Sequence, residues 1–189
     1  MNKENDKLVL IFPTEKHCAQ VEEYKKKFEA SGEELNGCGG LNLGISFDEW
    51  LQRCISHKAG KDLGKGYVQA TQFLALRTGD GKLVGLLNLR HKLTPTLIVH
   101  GGHIGYSTAP DERKKGYATQ MLDLGLQECR KLGIKKVLVT CFAWNVASAK
   151  TIRNNGGVME SETLYKGKPY QKYWIDLEKT KENLRINEK

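Results

Sequence analysis

The sequence has few of the features that mark membrane or secreted proteins. Its longest apolar runs, such as residues 8–12, are far shorter than the roughly 20 residues needed to cross a bilayer. Residues 1–7 alternate charged side chains with Asn and lack the apolar core of a signal peptide. We therefore expect a cytoplasmic protein that does not associate with a membrane.

Cysteine is scarce and shows no pairing pattern. The five cysteines are scattered along the chain, an odd number without C-x-x-C spacing. This pattern fits neither a disulfide framework nor a zinc site, and it agrees with a reducing compartment. We expect each cysteine to be an ordinary core or surface side chain, and we expect no metal.

Positive charge is in excess, but it is not concentrated in one stretch. The 189 residues include 30 Lys and Arg against 22 Asp and Glu, a formal net charge of +8. Clustered basic residues would indicate a nucleic-acid-binding surface, yet here they are interleaved with acidic residues. A small anionic ligand explains the excess as well, so we expect no nucleic acid partner, and nucleic-acid binding stays a hypothesis that rests on net charge alone.

Hydrophobic periodicity and turn residues predict a mixed α/β order. β-forming or apolar segments predict strands at 8–12, 67–76, 82–91, 102–108, 135–141, 158–164 and 170–177. Helical spacing of apolar residues predicts helices at 13–30, 47–57, 116–132 and 146–154. Only four prolines interrupt the chain, and no repeat or linker appears. We expect one α+β-like domain over residues 1–177, with helices on both faces of a mixed sheet, and a charged tail at 178–189.

The clearest chemical signal lies between a predicted strand and a long predicted helix. The strand ends at Pro110, and the helix begins at Gly116. The first backbone N–H groups of a helix have no partner within it and carry the positive end of its dipole, so this turn can hold a phosphate. Gly116 allows a close approach of the anion, and three basic residues add positive charge: Arg113, Lys114 and Lys115.

Two common phosphate loops do not fit this turn. The nucleoside triphosphate loop, G-x-x-x-x-G-K-[ST], is absent, and residues 60–66 (GKDLGKG) have the wrong spacing and context. The dinucleotide fingerprint G-x-G-x-x-G also fails here. The pattern that remains is Arg-x-x-Gly-x-Ala, from Arg113 to Ala118.

This pattern resembles the acyl-CoA loop, [R/Q]-x-x-G-x-[G/A], of the GCN5-related N-acetyltransferase (GNAT) superfamily. The resemblance continues in order through a strand at 135–141, an N-x-x-[AS] element formed by Asn145 to Ser148, and a helix that ends at Gly156. It covers residues 102–157, whereas residues 1–65 match only in the order of strands and helices. It implies the GNAT fold, a central and mostly antiparallel sheet with helices on both faces, and acetyl-CoA as the acyl donor.

The resemblance also implies roles for the matching residues. Main-chain groups of Tyr106, Ser107 and Thr108 would bond the pantetheine amides in the manner of a β-strand. The pyrophosphate would be held mostly by main-chain N–H groups of Arg113, Lys114, Lys115, Gly116, Tyr117, Ala118 and Thr119. Asn145 and Ser148 would border the pantetheine arm and the thiol end, although a plain helix cap explains Asn145 equally well.

The sequence departs from the family pattern at the general acid. Many members have a Tyr seven residues after the Asn, where this chain has Ile152, which cannot donate a proton. Water or a tyrosine of the last predicted hairpin are the alternatives: Tyr165, Tyr170 or Tyr173.

The general base has several candidates. His103 is the first of them, because its unperturbed pKa lies near neutrality, and a hydrogen-bonded structural histidine is the alternative. Glu49 is a weaker candidate. Arg90 and His91 are candidates for the acceptor pocket, and Trp144 is expected to pack near the thiol end of the donor.

These observations predict an acetyl-CoA-dependent N-acetyltransferase. The expected acceptor is the primary amine of a small molecule, and the expected mechanism is direct transfer in a ternary complex. Ile152 motivates an alternative, a non-catalytic acyl-CoA-binding or sensing module. A homodimer formed through the last strands is a further hypothesis.

Overall fold

The computed structural model describes residues 7–179. Its strands are β1 (Leu8–Ile11), β2 (Ala70–Arg77), β3 (Leu83–Arg90), β4 (Ile104–Thr108), β5 (Lys136–Phe142), β6 (Val158–Tyr165) and β7 (Lys168–Asp176). Its α-helices are α1 (Cys18–Ser31), α2 (Phe47–Ala59), α3 (Pro95–Val99), α4 (Tyr117–Lys131) and α5 (Val146–Asn154). The predicted tail at 178–189 lies almost entirely outside the described residues.

The strands form two antiparallel sheets. The first has the order β1-β2-β3-β4, and the second has the order β5-β7-β6. Within the first, Leu86 pairs with Ser107 and Leu87 with Tyr106. The predicted α/β class with mostly antiparallel strands is confirmed, and the expected single sheet is divided into two.

The two sheets meet where β4 begins. The N–H of His103 donates to the carbonyl of Leu138 at 2.7 Å, and the N–H of Leu138 donates to Nδ1 of His103 at 3.0 Å. Within residues 7–179, no strand ladder joins β4 to β5 beyond this point. The free edge of β4 therefore borders a cleft between the sheets.

Helices cover both faces of the first sheet. The buried side of α4, which includes Met121 and Leu126, packs with strands of both sheets in one core. Gly125 allows this close packing, because a Cβ atom there would lie 2.8 Å from a Leu87 methyl group. On the opposite face, Trp50 of α2 is completely buried with residues of α1.

The loop between α1 and α2 lies over the sheet beside β4. Its Gly37 has a positive φ of 66°, and a side chain there would collide with the Gly105 carbonyl. The side chain of Gln72 donates to the Gly37 carbonyl at 3.0 Å, and the indole of Trp50 donates to the Cys38 carbonyl at 2.7 Å. This loop is therefore fixed above the beginning of the cleft.

Helix α3 lies between the predicted strands at 82–91 and 102–108, where the sequence predicts neither a helix nor a strand. It has five residues, with Pro95 in its first turn and the Thr94 hydroxyl accepting from the Leu97 N–H at 3.2 Å. A helix this short has no apolar periodicity to detect. Within the described residues, no helix combines the length and apolar character needed to cross a membrane.

Candidate functional site

The loop before α4 has the shape of an anion-binding concavity. Lys114 and Gly116 have φ values of 62° and 83°, so two residues of one short turn are left-handed. Such turns point neighbouring N–H groups in one direction. Helix α4 begins after Gly116 without a side-chain cap, and a Cβ atom at Gly116 would meet nothing within 4 Å. The turn is therefore open to a ligand.

A buried carboxylate supports this loop from below. Glu112 is 3% exposed, and its oxygens lie 3.0 Å from Arg77, 2.5 Å from Lys82 and 2.8 Å from Lys115. Burial alone would raise the pKa of Glu112, but hydrogen bonds from Lys115 and Lys82 outweigh it and hold the pKa below its usual range. Glu112 therefore stays ionised and fixes the start of the loop to β2 and β3.

Arg113 does not point its charge freely at the loop. Its two terminal nitrogens donate to the two carboxylate oxygens of Glu33, each at 2.8 Å. Its Nε donates to the Thr108 carbonyl at 3.3 Å. Because Arg113 and Lys115 both have carboxylate partners, a bound phosphate would depend on main-chain N–H groups and on Lys114, which forms no ion pair within residues 7–179.

The free edge of β4 presents main-chain groups to the cleft. The Ala109 N–H donates to Val84, and the Arg90 N–H donates to His103, so odd-numbered residues of β4 face β3. By the alternation of an antiparallel pair, the main-chain groups of Tyr106 and Thr108 face the cleft, and those of Ser107 face β3. The implied role of the Ser107 main chain is thus less favoured by the geometry than those of its neighbours.

Thr108 also offers an unused side-chain group. Its Oγ1 is buried and has no hydrogen-bond partner within residues 7–179. Buried hydroxyl groups are nearly always hydrogen-bonded. A donor or acceptor from a ligand lying along β4 would satisfy this oxygen.

The first turn of α5 lies on the other side of the cleft. The Asn145 side chain accepts from the Ser148 N–H at 3.0 Å, so Asn145 is the helix cap. The Ser148 hydroxyl lies 2.9 Å from the Tyr106 hydroxyl. Burial raises the pKa of Tyr106 to about 12, although the Ser148 hydrogen bond opposes the shift, so the phenol remains protonated at neutral pH.

Ile152 does not face the cleft. It is completely buried, and its side chain lies against Gly157 at the end of α5. No hydroxyl stands at this position. The Tyr106 phenol, which comes from β4, reaches the same helix one turn earlier.

The neutral ring of His103 has one nitrogen that can accept a hydrogen bond, and a structural contact already uses it. Its Nδ1 accepts the Leu138 N–H, which places the ring proton on Nε2. Burial, with Arg90 as a second cause, lowers the pKa of His103 to about 4. Its assignment as general base stays a prediction, and this geometry favours the structural role.

The remaining base and pocket candidates occupy separate places. Glu49 belongs to the capping box of α2, where it accepts from the Ser46 N–H at 2.8 Å. Arg90 and His91 are successive residues and point to opposite faces. Arg90 donates to the Gly101 and Gly102 carbonyls, whereas Nε2 of His91 contacts the Thr71 hydroxyl at 2.8 Å.

The three hairpin tyrosines are engaged with other groups. The hydroxyl of Tyr170 lies 2.6 Å from that of Thr140, and the buried Tyr173 donates to Gln171 at 2.6 Å. Tyr165 packs in an aromatic cluster. Within residues 7–179, none of the three hydrogen-bonds Ser148, whose hydroxyl lies 2.9 Å from that of Tyr106.

Sequence reasoning missed the side chains that shape the site from a distance. Glu33 is 80 residues before Arg113, and Tyr106 is 42 residues before Ser148. No local pattern reports such pairs. The one available signal was the acidic pair Asp111 and Glu112 beside the basic residues of the loop, which indicates internal ion pairing.

An open turn before a long helix, in line with a free strand edge, is the arrangement expected of an acyltransferase with a phosphate-bearing donor. A family model described as an acetyltransferase (GNAT) domain matches residues 44–158, more than half of the chain. The chain therefore belongs to the GNAT acetyltransferases. It is an enzyme of this family, whose acyl donor is acetyl-CoA.

Solved structures with the same fold agree with this membership. RimL, a ribosomal L7/L12 alpha-N-protein acetyltransferase in complex with coenzyme A, matches with a TM-score of 0.64 at 20% identity, covering 90% of this chain and 96% of that one. The microcin C7 self-immunity acetyltransferase MccE, in complex with acetyl-CoA and AMP, matches with a TM-score of 0.64 at 16% identity, covering 92% and 94%.

A third structure comes from Salmonella typhimurium. It is an acetyltransferase that modifies the N-terminal serine of the ribosomal protein L7/L12, and it matches with a TM-score of 0.63 at 19% identity, covering 92% of this chain and 96% of that one. No curated protein matches the sequence significantly. At these identities the structures establish the fold and not the acceptor.

Proposed function

We propose that this chain transfers an acetyl group from acetyl-CoA to the primary amine of a small molecule, by direct transfer in a ternary complex, as one catalytic domain over residues 1–177. The observation that carries the proposal is the open turn at Gly116 in line with the free edge of β4. Relatives of the same fold act on protein N-termini or bind AMP beside acetyl-CoA. The acceptor is therefore the part of the proposal that experiment must decide.

The residues present fit two parts of the donor, the pyrophosphate and the pantetheine arm. The left-handed turn at Lys114 and Gly116 suits the pyrophosphate, and the main-chain groups of Tyr106 and Thr108 suit the pantetheine amides. The unpartnered Thr108 hydroxyl lies between these two parts. Bound there, acetyl-CoA would supply a thioester for attack by an amine.

Direct transfer is favoured because the thiol beside Ser148, that of Cys141, is not activated. Cys141, at the end of β5, is 6% exposed. Burial raises its pKa, although a hydrogen bond with Ser148 opposes the shift, so the thiol stays protonated. A thiol in this state is a poor nucleophile. Initial rates with both substrates varied should give intersecting lines, and parallel lines would contradict direct transfer.

We assign the proton for the leaving sulfur to the Tyr106 and Ser148 hydroxyl pair. In the transfer, the amine nitrogen bonds to the acyl carbon, the carbon–sulfur bond breaks, the nitrogen loses a proton to solvent, and the sulfur gains one. The two hydroxyls are 2.9 Å apart at the start of α5. They stand in for the tyrosine that Ile152 replaces.

The phosphate turn is tested by a charge placed on it. Gly116→Glu should abolish acetyl-CoA binding in calorimetry, because the carboxylate would repel the pyrophosphate and the new side chain would occupy the open turn. Gly133→Glu is the matched control, since Gly133 follows the other end of α4 and also has a positive φ, 73°, and open space. Equal acetyl-CoA affinity of both variants would contradict the proposed site.

A further inference from the structure

A cluster of aromatic rings borders the end of the cleft where α5 begins. We call it the aromatic wall, and it consists of His100, Phe142, Trp144, Tyr165 and Tyr170. The Phe142 and Trp144 rings are stacked with centroids 4.1 Å apart, and the His100 and Tyr165 rings with centroids 4.3 Å apart. Tyr170 joins the two pairs, at 5.0 Å from Phe142 and 5.4 Å from Tyr165.

The aromatic wall is attached to both sides of the cleft. The Asn145 N–H donates to the Phe142 carbonyl at 2.9 Å, so Trp144 directly precedes the cap of α5. The Gly101 N–H, just before β4, donates to the Tyr170 hydroxyl at 3.2 Å. The wall is therefore held beside the place where the proposed transfer occurs.

The charges beside the aromatic wall are positive. Lys168 Nζ lies 5.3 Å from the centre of the Trp144 ring, and Lys166 Nζ lies 5.5 Å from that of Tyr165. Neither lysine forms an ion pair with a residue in the described range 7–179. Arg90 lies near the same rings, where it donates to the Gly101 and Gly102 carbonyls. It also has no carboxylate partner within residues 7–179.

The carboxylates of the same hairpin are engaged elsewhere. Glu160 lies 2.9 Å from Lys172 and accepts from the Trp174 indole. Glu162 accepts from the Gln171 amide at 2.8 Å. The positive charge at the aromatic wall is therefore not neutralised by its own hairpin.

We propose that the aromatic wall binds the acceptor, and that this acceptor is a small amine carrying a planar ring and an anionic group. The inference rests on the proposed acetyl transfer and adds the class of acceptor. Trp144 is 57% exposed, which leaves ring surface for stacking. Lys166 and Lys168 provide the complementary charge. Nearby cations also favour the neutral form of the amine, which is the nucleophilic form.

One other feature would favour the opposite charge. A cavity of about 510 Å³ beside the end of α1 is lined by Glu29, Glu33 and Glu34, together with Lys25. Glu33 is already paired with Arg113. A cationic acceptor bound there would not need the aromatic wall, so the experiment includes one.

The first measurement compares acceptors that differ in one feature. 4-(Aminomethyl)benzoate has both ring and carboxylate, benzylamine has only the ring, 6-aminohexanoate has only the carboxylate, and spermidine is the cationic acceptor. We expect kcat/KM for 4-(aminomethyl)benzoate to exceed the others by about tenfold, the scale of one stacking or charge contact. Equal values, or a preference for spermidine, would overturn the inference.

The second measurement removes parts of the aromatic wall. Trp144→Ala should lower kcat/KM for 4-(aminomethyl)benzoate about tenfold. The double variant Lys166→Gln, Lys168→Gln should lower it for the two carboxylates and leave benzylamine unchanged. Lys131→Gln, at the far end of α4, is the control for loss of a lysine. If neither Trp144→Ala nor the double lysine variant changed kcat/KM, the proposed binding would be refuted.

A binding measurement separates failure of this inference from failure of the proposed function. Calorimetry with acetyl-CoA tests the donor site alone. With coenzyme A present, 4-(aminomethyl)benzoate should saturably quench tryptophan fluorescence in the native chain and not in Trp144→Phe. Donor binding without this quenching overturns the inference and leaves acetyl transfer standing, whereas absent donor binding overturns the proposed function.

Discussion

At the scale of single residues, His103 shows how one side chain can hold two sheets together. Its main chain and its ring both bond Leu138, once as donor and once as acceptor. Protonation of Nδ1 would turn that acceptor into a donor and break the contact. Because the folded pKa of about 4 lies below the unfolded value of about 6.5, the unfolded chain binds the proton first as the pH falls.

This linkage gives a prediction for His103→Asn, in which Oδ1 can accept the Leu138 N–H. In the native chain, lowering the pH from 7.5 to 5.5 should reduce the free energy of unfolding by about 1 kcal/mol because of His103. This reduction should be absent in the variant. Denaturant unfolding at both pH values measures it. We expect kcat to stay within about threefold of native, whereas a general base at this position would lose about 10²–10⁴-fold.

The Tyr106 and Ser148 pair gives a second prediction at this scale. Tyr106→Phe should lower kcat about 10²-fold by removing the proton source, with acetyl-CoA affinity within twofold of native. Tyr173→Phe is the control, because that hydroxyl bonds Gln171 and Arg153 instead. An unchanged kcat in the double variant Tyr106→Phe, Ser148→Ala would remove the pair from the mechanism.

At the scale of elements, the phosphate loop depends on a carboxylate beneath it. Glu112 connects three basic residues from two strands and the loop: Arg77, Lys82 and Lys115. The loop can therefore hold left-handed residues without support from its own side chains.

Glu112→Gln should lower the free energy of unfolding by about 1–3 kcal/mol, because three cations lose their shared acceptor. It should also weaken acetyl-CoA binding by loosening the loop. Since the folded pKa of Glu112 is lowered, its stabilisation is present above the unfolded pKa and is lost as the pH falls through the folded one. Urea unfolding at pH 7 and pH 4 measures the change in stability and its pH dependence, and calorimetry measures acetyl-CoA binding.

The control for this variant is Glu128→Gln on α4, where the Glu128 side chain is 29% exposed. Glu128 makes one ion pair, with Lys131, whose side chain is 70% exposed. Such pairs contribute about 0.2–1 kcal/mol at most. If Glu112→Gln were no more destabilising than this control, the carboxylate would not support the loop.

Local patterns predicted most elements because each has its own signal. Apolar spacing and a closing glycine predict the helix at 116–132, and the structure has it at Tyr117–Lys131. The pairing of the two sheets leaves no local pattern in the sequence, since it depends on contacts between distant residues such as His103 and Leu138. The loop of the site was visible from Arg113 to Ala118, whereas the phenol beside Ser148 came from another strand.

At the scale of the whole molecule, part of the net charge of +8 lies near the proposed phosphate turn and the aromatic wall. Near the proposed phosphate turn, Arg113 and Lys115 have carboxylate partners, whereas Lys114 forms no ion pair within residues 7–179. At the aromatic wall, Lys166 and Lys168 have no ion pair within residues 7–179. Unpaired positive charge is therefore present at both ends of the proposed cleft, from Lys114 at the turn and from Lys166 and Lys168 at the acceptor end.

The central claim is that this chain catalyses acetyl transfer to an amine, and a continuous assay of thiol release tests it most directly. With acetyl-CoA and an amine panel that includes 4-(aminomethyl)benzoate, we expect steady release of coenzyme A that requires the amine and saturates with it. Gly116→Glu should abolish that release. Saturable acetyl-CoA binding in calorimetry without amine-dependent thiol release would contradict the claim and identify the chain as an acyl-CoA-binding module.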